Sequence, residues 1–230
     1  MDQMDQMATP PRAAPPGRRE VRRAERTERI LAAAEQVFAE TGFAGATTAA
    51  VALRAGVPKA TVHYYFSTKE DLYRAVIDRV MVQWTQTGDS ITAEADPATA
   101  LSAYVAAKIR VSRTWPLASR IFANEMLHGA PNIEDYLSGG VLRWVEEKGA
   151  VLEGWARAGK IAPVNVRHLF FAIWAATQTY ADFEPQVRIV LGRRALKPAD
   201  FEDATRTVTA MVLAVCGLSR PELPAPRAED

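Results

Sequence analysis

Cysteine is almost missing from this chain, which has a single one, Cys216, among 230 residues. One thiol cannot close an internal disulfide, so the disulfide-stabilised class of secreted protein is excluded. Long apolar runs are missing too: nothing near the start resembles a signal peptide, and no stretch is long enough to span a membrane. We therefore expect a cytoplasmic protein with no membrane partner.

The chain also has no large excess of charge of either sign, because it contains 28 basic and 27 acidic residues and its formal net charge is +1. This balance does not exclude nucleic acid as a partner, since a local basic surface can be offset by acids elsewhere. Strand-like alternation and internal repeats are absent as well. With 48% hydrophobic residues over 230 positions, the chain suits a two-part helical protein with a sizeable core.

Groups that would support a metal site or catalysis are few and scattered. The histidines His63, His128 and His168 stand too far apart in sequence to suggest a ligand set, and Cys216 has no histidine or cysteine near it. Carboxylates such as Glu125 are typical of solvated faces of amphipathic helices, and no nucleophile is paired with a base. We therefore expect no metal, no cofactor and no enzymatic activity.

The most informative stretch runs from Thr47 to Leu72 and reads TTAAVALRAGVPKATVHYYFSTKEDL. Thr47 or the next threonine can cap a short helix that ends near Gly56, which supplies a left-handed turn. Pro58 suits the first position of a second helix that continues to Tyr65. Two short helices joined by a glycine-containing turn form the DNA-binding helix-turn-helix unit. Helices this short need helical segments on both sides to hold them.

The region before this stretch divides into a tail and a basic segment. Residues 1–17 contain several prolines and polar residues, which predicts a disordered tail. Six arginines follow, interrupted by Glu20, Glu25 and Glu28: Arg18, Arg19, Arg22, Arg23, Arg26 and Arg29. They are typical either of a solvated helix face with helical ion pairs or of a basic arm in which the first four approach DNA phosphates or a minor groove.

The order and spacing of residues 30–72 resemble the N-terminal domain of the TetR family of repressors. The residues that carry the resemblance are the apolar helix from Ile30 to Phe38, Thr41-Gly42-Phe43, Ala55-Gly56-Val57, Thr61, Tyr65-Phe66, Lys69, Glu70 and Leu72. Pro58, Ala60 and His63 depart from the pattern, which affects the base preference and leaves the fold intact. The resemblance implies an N-terminal three-helix helix-turn-helix domain that binds double-stranded operator DNA as part of a homodimer.

Seven residues are candidates for contacts with DNA. Thr47, Tyr65 and Lys69 are expected to bind phosphates and fix the register on the duplex. Lys59, Thr61, His63 and Tyr64 are candidates to reach base edges in the major groove, while Val62 and Phe66 should face the core.

The second half of the chain predicts further helices, two of them strongly apolar. Asn165 can cap a helix whose apolar and aromatic residues surround the whole cylinder, so we expect it to be buried on every side. A second apolar segment runs from Ala204 to Leu218. Two such helices present more apolar surface than one chain readily buries, which favours an interface of four helices between two copies of the chain.

A narrower likeness to the pyrimidine-utilisation regulators of the TetR family covers this half. It is carried by Ala118-Ser119-Arg120, Glu125-Met126, Gly129-Ala130-Pro131, Gly159-Lys160, Ile173-Trp174-Ala175, Thr177-Gln178, Tyr180-Ala181-Asp182-Phe183 and Pro185-Gln186-Val187. The likeness implies uracil or thymine as the effector.

A flat ring with two carbonyl acceptors and ring N–H donors needs an amide partner and aromatic walls. Gln178 offers the amide and Trp174 an aromatic plate one turn earlier, although packing in the core would also explain the tryptophan. Trp84, Lys108, Ser112, Phe122 and Tyr180 complete the predicted walls, with the Lys108 amine facing solvent.

Together these patterns predict an all-α protein with two domains. We expect a tail over residues 1–17, the helix-turn-helix domain over 18–70, a ligand-binding and dimerisation domain over 71–220, and a tail over 221–230. The predicted function is a transcriptional repressor that a small molecule releases from its operator. A more apolar effector, or an interaction protein with a vestigial helix-turn-helix, are the alternatives.

Overall fold

The computed structural model describes residues 17–219 of the chain. Every regular element in that range is helical, which confirms the all-α prediction. Both predicted tails, apart from Gly17, lie outside the described residues. Within residues 17–219 no helix is long and apolar enough to cross a membrane.

The N-terminal domain is built from four helices: α1 (Arg18–Gly45), α2 (Thr48–Ala55), α3 (Lys59–Tyr65) and α4 (Lys69–Gln86). Helix α1 contains a break at Gly42, whose φ of 67° and ψ of 176° are not helical. The short α2 and α3 are held between α1 and α4 by one apolar core, which includes the fully buried Phe38, Val62 and Leu72. This packing supplies the stability that helices of seven or eight residues lack alone.

Helix α4 belongs to both domains. Its first turns, with Leu72, Tyr73 and Val76, complete the N-terminal core and so extend that core beyond the predicted boundary at residue 70. Thr68 begins the helix as an N-cap, because its hydroxyl accepts a hydrogen bond from Asp71 N at 3.0 Å while the Asp71 carboxylate accepts one from Thr68 N at 3.1 Å. The C-terminal half of α4 extends toward the second domain.

The C-terminal domain has seven more helices, α7 and α8 being joined by a π-helical turn. They are α5 (Pro97–Thr114), α6 (Pro116–Leu127), α7 (Glu134–Tyr136), the π turn Leu137–Val141, α8 (Leu142–Arg157), α9 (Val166–Asp182), α10 (Glu184–Val190) and α11 (Pro198–Val215). The side chains of Asp96 and Asn165 cap α5 and α9, as their positions ahead of apolar runs indicate. The domain core packs residues of α5, α8, α9 and α11 together.

Part of the apolar surface of α9 and α11 stays exposed in the single chain. Phe171 is 52% exposed, Met211 58% and Val215 60%. The expectation that α9 is buried on every side therefore does not hold within one chain. Large exposed apolar side chains are common at interaction sites, so the predicted interface with a second copy would form at α9 and α11, where Met211 and Val215 stand about one turn apart on the same side of α11.

Candidate DNA-binding face and effector pocket

The helix-turn-helix is shaped by one cap and one glycine. Thr47 accepts a hydrogen bond from Ala50 N at 3.1 Å through its hydroxyl, which starts α2. Gly56 ends α2 in the left-handed region with a φ of 63°, a conformation that glycine adopts without steric cost. Pro58 is extended and stands immediately before the first residue of α3, one position earlier than the sequence predicts.

Helix α3 presents a polar, exposed face and buries one side. Val62 is fully buried, and Phe66 packs against the same core. Lys59, His63 and Tyr64 are exposed, Tyr64 by 77%, whereas Thr61 and Tyr65 are half-buried. The exposed side therefore carries groups able to donate to and accept from base edges, as a helix that enters the major groove requires.

Two contacts orient side chains on this face. His63 Nε2 lies 3.4 Å from the hydroxyl oxygen of Thr48, so α3 is tied to the start of α2. The rings of Tyr64 and Tyr65 meet edge to face, with centroids 5.3 Å apart. The two rings therefore contact each other on the side of α3 that is exposed to solvent.

Lys69 already has partners inside the protein. Its ammonium donates to the backbone carbonyls of Phe43 at 2.8 Å and Ala46 at 3.3 Å, and it lies 4.3 Å from the centre of the Phe43 ring. The lysine therefore binds the chain between α1 and α2 to the start of α4. Since an ammonium has three N–H donors, one remains for a phosphate, and that contact stays a prediction.

All six arginines of the basic segment lie exposed on the first turns of α1. Within residues 17–219 no ion pair joins any of them to Glu20, Glu25 or Glu28; the carboxylate of Glu28 lies 3.2 Å from Arg79 of α4 instead. The helical ion pairs of the first interpretation are thus not formed in the structure. The proposed approach of Arg18, Arg19, Arg22 and Arg23 to DNA stays a prediction.

A cavity of about 380 Å³ lies at the C-terminal end of α4; it is the candidate ligand site, and we call it the effector pocket. It is lined by residues of α4, α5, α6, α8, α9 and the π turn: Met81, Trp84, Thr85, Tyr104, Lys108, Phe122, Met126, Leu137, Val141, Trp144, Phe171, Trp174 and Gln178. Five of the seven predicted ligand residues are among them. Aromatic and aliphatic walls with few polar groups are typical of small-molecule sites.

Lys108 is the main electrostatic feature of the pocket. The residue is 4% exposed, so the expectation that its amine faces solvent is wrong; α5 directs it inward, and its ammonium lies 4.4 Å from the centre of the Trp84 ring. Burial lowers the pKa of Lys108 to about 8, while the nearby Asp182 carboxylate acts in the opposite direction. Among residues 17–219 no hydrogen bond uses this amine, although it lines the cavity.

The tryptophans both pack and line the pocket; the contact of Trp174 with a ligand stays a prediction. The Trp174 indole N–H donates to the Tyr104 hydroxyl at 2.8 Å, and that of Trp144 donates to the Thr85 carbonyl at 3.1 Å. Trp84 meets Phe122 edge to face at 4.6 Å. Because these hydrogen bonds satisfy the indole donors of Trp144 and Trp174, those two rings form fixed walls.

Ser112 and Tyr180 lie outside the pocket, contrary to expectation. Ser112 is buried against α9, where its hydroxyl donates to the Thr177 carbonyl at 2.9 Å. Tyr180 packs on the ring of Phe201 in α11, with centroids 6.2 Å apart. Both residues therefore contribute to helix packing, because the rotation of α9 directs Gln178 and Trp174 toward the cavity and Tyr180 toward α11.

Sequence reasoning missed several walls of the pocket, above all Trp144. Its ring lies so close to Gly88 that an added Cβ there would stand 2.3 Å from Trp144 Cζ2. A buried glycine in the α4–α5 connection was the available signal for a close approach. The π turn before α8 was detectable only as the Gly139-Gly140 pair.

The described residues contain no group of three or more histidine, cysteine, aspartate or glutamate side chains that could hold a metal ion.

A helix-turn-helix with an exposed polar helix, joined through one continuous helix to a second helical domain, defines the class of helix-turn-helix transcriptional regulators. Residues 30–76 match the family described as bacterial regulatory proteins, tetR family, and residues 77–219 match the C-terminal region of YcdC-like proteins. The chain belongs to the TetR family. Members of this family are transcriptional regulators and not enzymes; they bind operator DNA and dimerise.

Curated relatives agree with this assignment. The chain is 39% identical to the HTH-type transcriptional regulator RutR of Escherichia coli K12 over 184 residues, which cover 80% of this chain and 87% of that protein. It is 37% identical to the regulator BetI of Paraburkholderia phytofirmans over 124 residues, 50% of this chain and 60% of that one.

Solved structures show the same fold at low sequence identity. The fatty acid degradation regulator FadR from Bacillus halodurans has a TM-score of 0.61 and 20% identity, covering 82% of this chain and 94% of that chain. A TetR-like transcriptional regulator from Rhodococcus has a TM-score of 0.60 and 17% identity, covering 82% and 94% respectively.

Proposed function

We propose that this protein is a cytoplasmic repressor that uracil or thymine releases from its operator by binding in the effector pocket. The observation that carries the proposal is the convergence of Lys108 and Gln178 on one aromatic-walled cavity that α4 also lines. The 39% identity to RutR over most of both chains supports the same choice of effector.

The chemistry of the pocket matches a pyrimidine dione. The Lys108 amine can donate to a ring carbonyl, and the Gln178 amide can donate to the second carbonyl and accept from a ring N–H. Trp84 and Trp174 provide flat faces for the ring. A purely apolar effector would cover the Lys108 amine and the Gln178 amide without offering either a hydrogen-bond partner, which costs free energy, so the polar ring is favoured.

On the DNA side, the exposed face of α3 is proposed to read bases. Lys59, Thr61, His63 and Tyr64 reach base edges, while Thr47, Tyr65 and Lys69 bind phosphates and fix the register. A twofold dimer, paired through the exposed apolar face of α9 and α11, would present two α3 helices to half-sites about 34 Å apart. The operator should therefore be nearly palindromic.

The two activities are linked through α4. Its first turn follows the helix-turn-helix and its last turns form a wall of the pocket. An effector that binds better to one position of α4 than to another shifts the population between them and changes the spacing of the α3 helices. The effector then lowers operator affinity, and the operator lowers effector affinity by the same factor.

The test compares effectors and variants on the full-length dimer. Thermal unfolding is measured with uracil, thymine and indole, the last being a flat apolar control, and operator release is followed by fluorescence anisotropy. A ligand at 100 times its Kd raises stability by about 2.7 kcal/mol, a shift that is easily measured. We expect uracil or thymine to stabilise the protein and indole to have no effect.

Variants then assign the effect to the pocket. Gln178→Ala and Lys108→Met should abolish release by the pyrimidine and leave operator affinity unchanged. Tyr180→Phe, which alters a hydroxyl on the same helix outside the pocket, should behave like the native protein. Stabilisation by indole alone, or undiminished release in Gln178→Ala, would contradict the proposed effector site.

A further inference from the structure

A second cavity, also of about 380 Å³, lies between the two domains and apart from the effector pocket. One side is formed by α1 and α4 through Phe38, Thr41, Gly42, Phe43, Ala44 and Tyr73, and the other by α6 and the loop after it through Ile121, Asn124, Glu125, His128, Pro131 and Asn132. Cavities between domains are common places for ligands. The proposed repressor mechanism does not use this one.

The cavity contains a buried carboxylate that is held by neutral side chains. Glu125 is 5% exposed, and its two oxygens lie 2.6 and 3.3 Å from the side-chain amide nitrogen of Asn132, a neutral donor. Burial raises the pKa of Tyr73, and the Glu125 carboxylate raises it further through its charge and by accepting a hydrogen bond from the Tyr73 hydroxyl. Within residues 17–219 no ion pair includes Glu125. Because a buried carboxylate interacts more favourably with a cation than with a neutral molecule, these surroundings favour a positively charged ligand.

Aromatic rings stand beside this carboxylate. Phe38 and Tyr73 meet edge to face at 4.8 Å, and the centroids of Phe43 and Tyr73 are 5.0 Å apart. The ammonium of Lys69, which is outside the set of residues lining the cavity, lies 4.3 Å from the Phe43 ring centre, so this ring already contacts one cation. Aromatic faces combined with a carboxylate form the usual recognition set for an organic ammonium ion.

We propose that this interdomain cavity is a second small-molecule site, which binds an organic ammonium ion between Glu125 and the rings of Phe38, Phe43 and Tyr73. The charge of Glu125 selects a cation over a neutral molecule of equal size, and the rings bind its apolar part. This inference is independent of the effector pocket, because the two cavities share no lining residue.

The experiment uses the full-length protein without DNA or pyrimidine and compares two probes of the same shape. Benzylamine is a cation at pH 7, and benzyl alcohol is its neutral counterpart. Isothermal titration should give a Kd for benzylamine at least about tenfold lower than that for benzyl alcohol. Equal affinity for the two probes, or no binding of benzylamine, would overturn the proposal.

Variants locate the binding. Glu125→Gln keeps the shape and the acceptor for Asn132 but removes the charge, so it should weaken benzylamine binding about tenfold and make the two probes nearly equal. Glu134→Gln, an exposed carboxylate outside the cavity, is the matched control and should change nothing. Unweakened binding by Glu125→Gln would refute the site.

A second variant tests the site without changing Glu125, in case the substitution of this buried residue impairs folding. Ala44 lines the cavity at its exposed rim, so Ala44→Phe can fill the opening without touching the core. This variant should unfold at a temperature close to that of the native protein and should lose benzylamine binding. Retention of native affinity in folded Ala44→Phe would place the probe elsewhere on the protein and refute the proposal.

Discussion

Replacing Lys108 by methionine should stabilise this protein, although the lysine belongs to its proposed effector site. Methionine keeps the volume and length of the side chain and removes the charge. In the native protein the amine is 4% exposed, and burial lowers the pKa of Lys108 from 10.5 to about 8. That difference corresponds to about 3 kcal/mol of unfolding free energy lost at pH 7, which the variant should recover.

The lowered pKa of Lys108 also determines whether the free energy of unfolding rises or falls with pH. Between pH 8 and 10.5 the unfolded chain holds the Lys108 proton and the folded one releases it, so native stability rises with pH over that window. From pH 7 to pH 9.5 the native protein should gain about 2 kcal/mol relative to Lys108→Met. The comparison cancels tyrosines and other groups that titrate in both proteins. Asp182, the acid that acts on Lys108, is still influenced by the positive charge of Arg120 in the variant.

Urea unfolding at pH 7 and pH 9.5, at one protein concentration because the family dimerises, measures both effects. Lys108→Arg is the matched control, since a guanidinium stays charged throughout this range and should be at least as destabilising as the lysine. Parallel pH profiles for the native protein and Lys108→Met, or a variant less stable than the native protein at pH 7, would refute the reasoning about this buried amine.

Three other predictions concern the geometry of the two sites. Gly88→Ala should cost about 1–3 kcal/mol in urea unfolding because its methyl group would overlap the Trp144 ring, whereas Gly140→Ala, which meets open space, should not destabilise the protein. Thr47→Ala should lower stability by about 1 kcal/mol and weaken operator binding, while Thr47→Ser retains both; equal stability in the two variants would contradict the cap. Lys69→Ala should weaken binding to every DNA sequence and lower the salt slope by about one, as anisotropy titrations across salt concentrations can show; a loss confined to one base position would contradict a phosphate contact.

Features that depend on a few neighbouring residues were predictable from the sequence. Thr47, Asp96 and Asn165 each cap a helix by accepting a hydrogen bond from the backbone N–H three residues later, so the interaction depends on a segment of only four residues. The turn at Gly56 depends only on the ability of glycine to adopt a positive φ. The helix-turn-helix and the starts of α5 and α9 therefore follow from local chemistry.

Features that depend on rotation of one helix against another were not predictable. Apolar residues occur on every side of α9, so the sequence does not show how the helix is rotated about its own axis. It therefore cannot predict that Gln178 faces the cavity while Tyr180 faces α11. The position of Lys108 depends on Trp84, which comes from a different helix. Contacts of this kind join residues far apart in sequence, and periodicity within one helix does not specify them.

The length of α4 has a consequence for the size of the motion that regulation needs. Its 18 residues make a rod about 27 Å long, with the helix-turn-helix at one end and the effector pocket at the other. A tilt of about 5° at the pocket end displaces the other end by about 2 Å, and a twofold pair doubles the change in separation. Successive base pairs are about 3.4 Å apart. If the distance between the two α3 helices of a dimer changes by about 4 Å, the helices are therefore displaced from their half-sites by about one base pair. An effector of a few atoms can therefore act without unfolding or reshaping the surface that reads DNA.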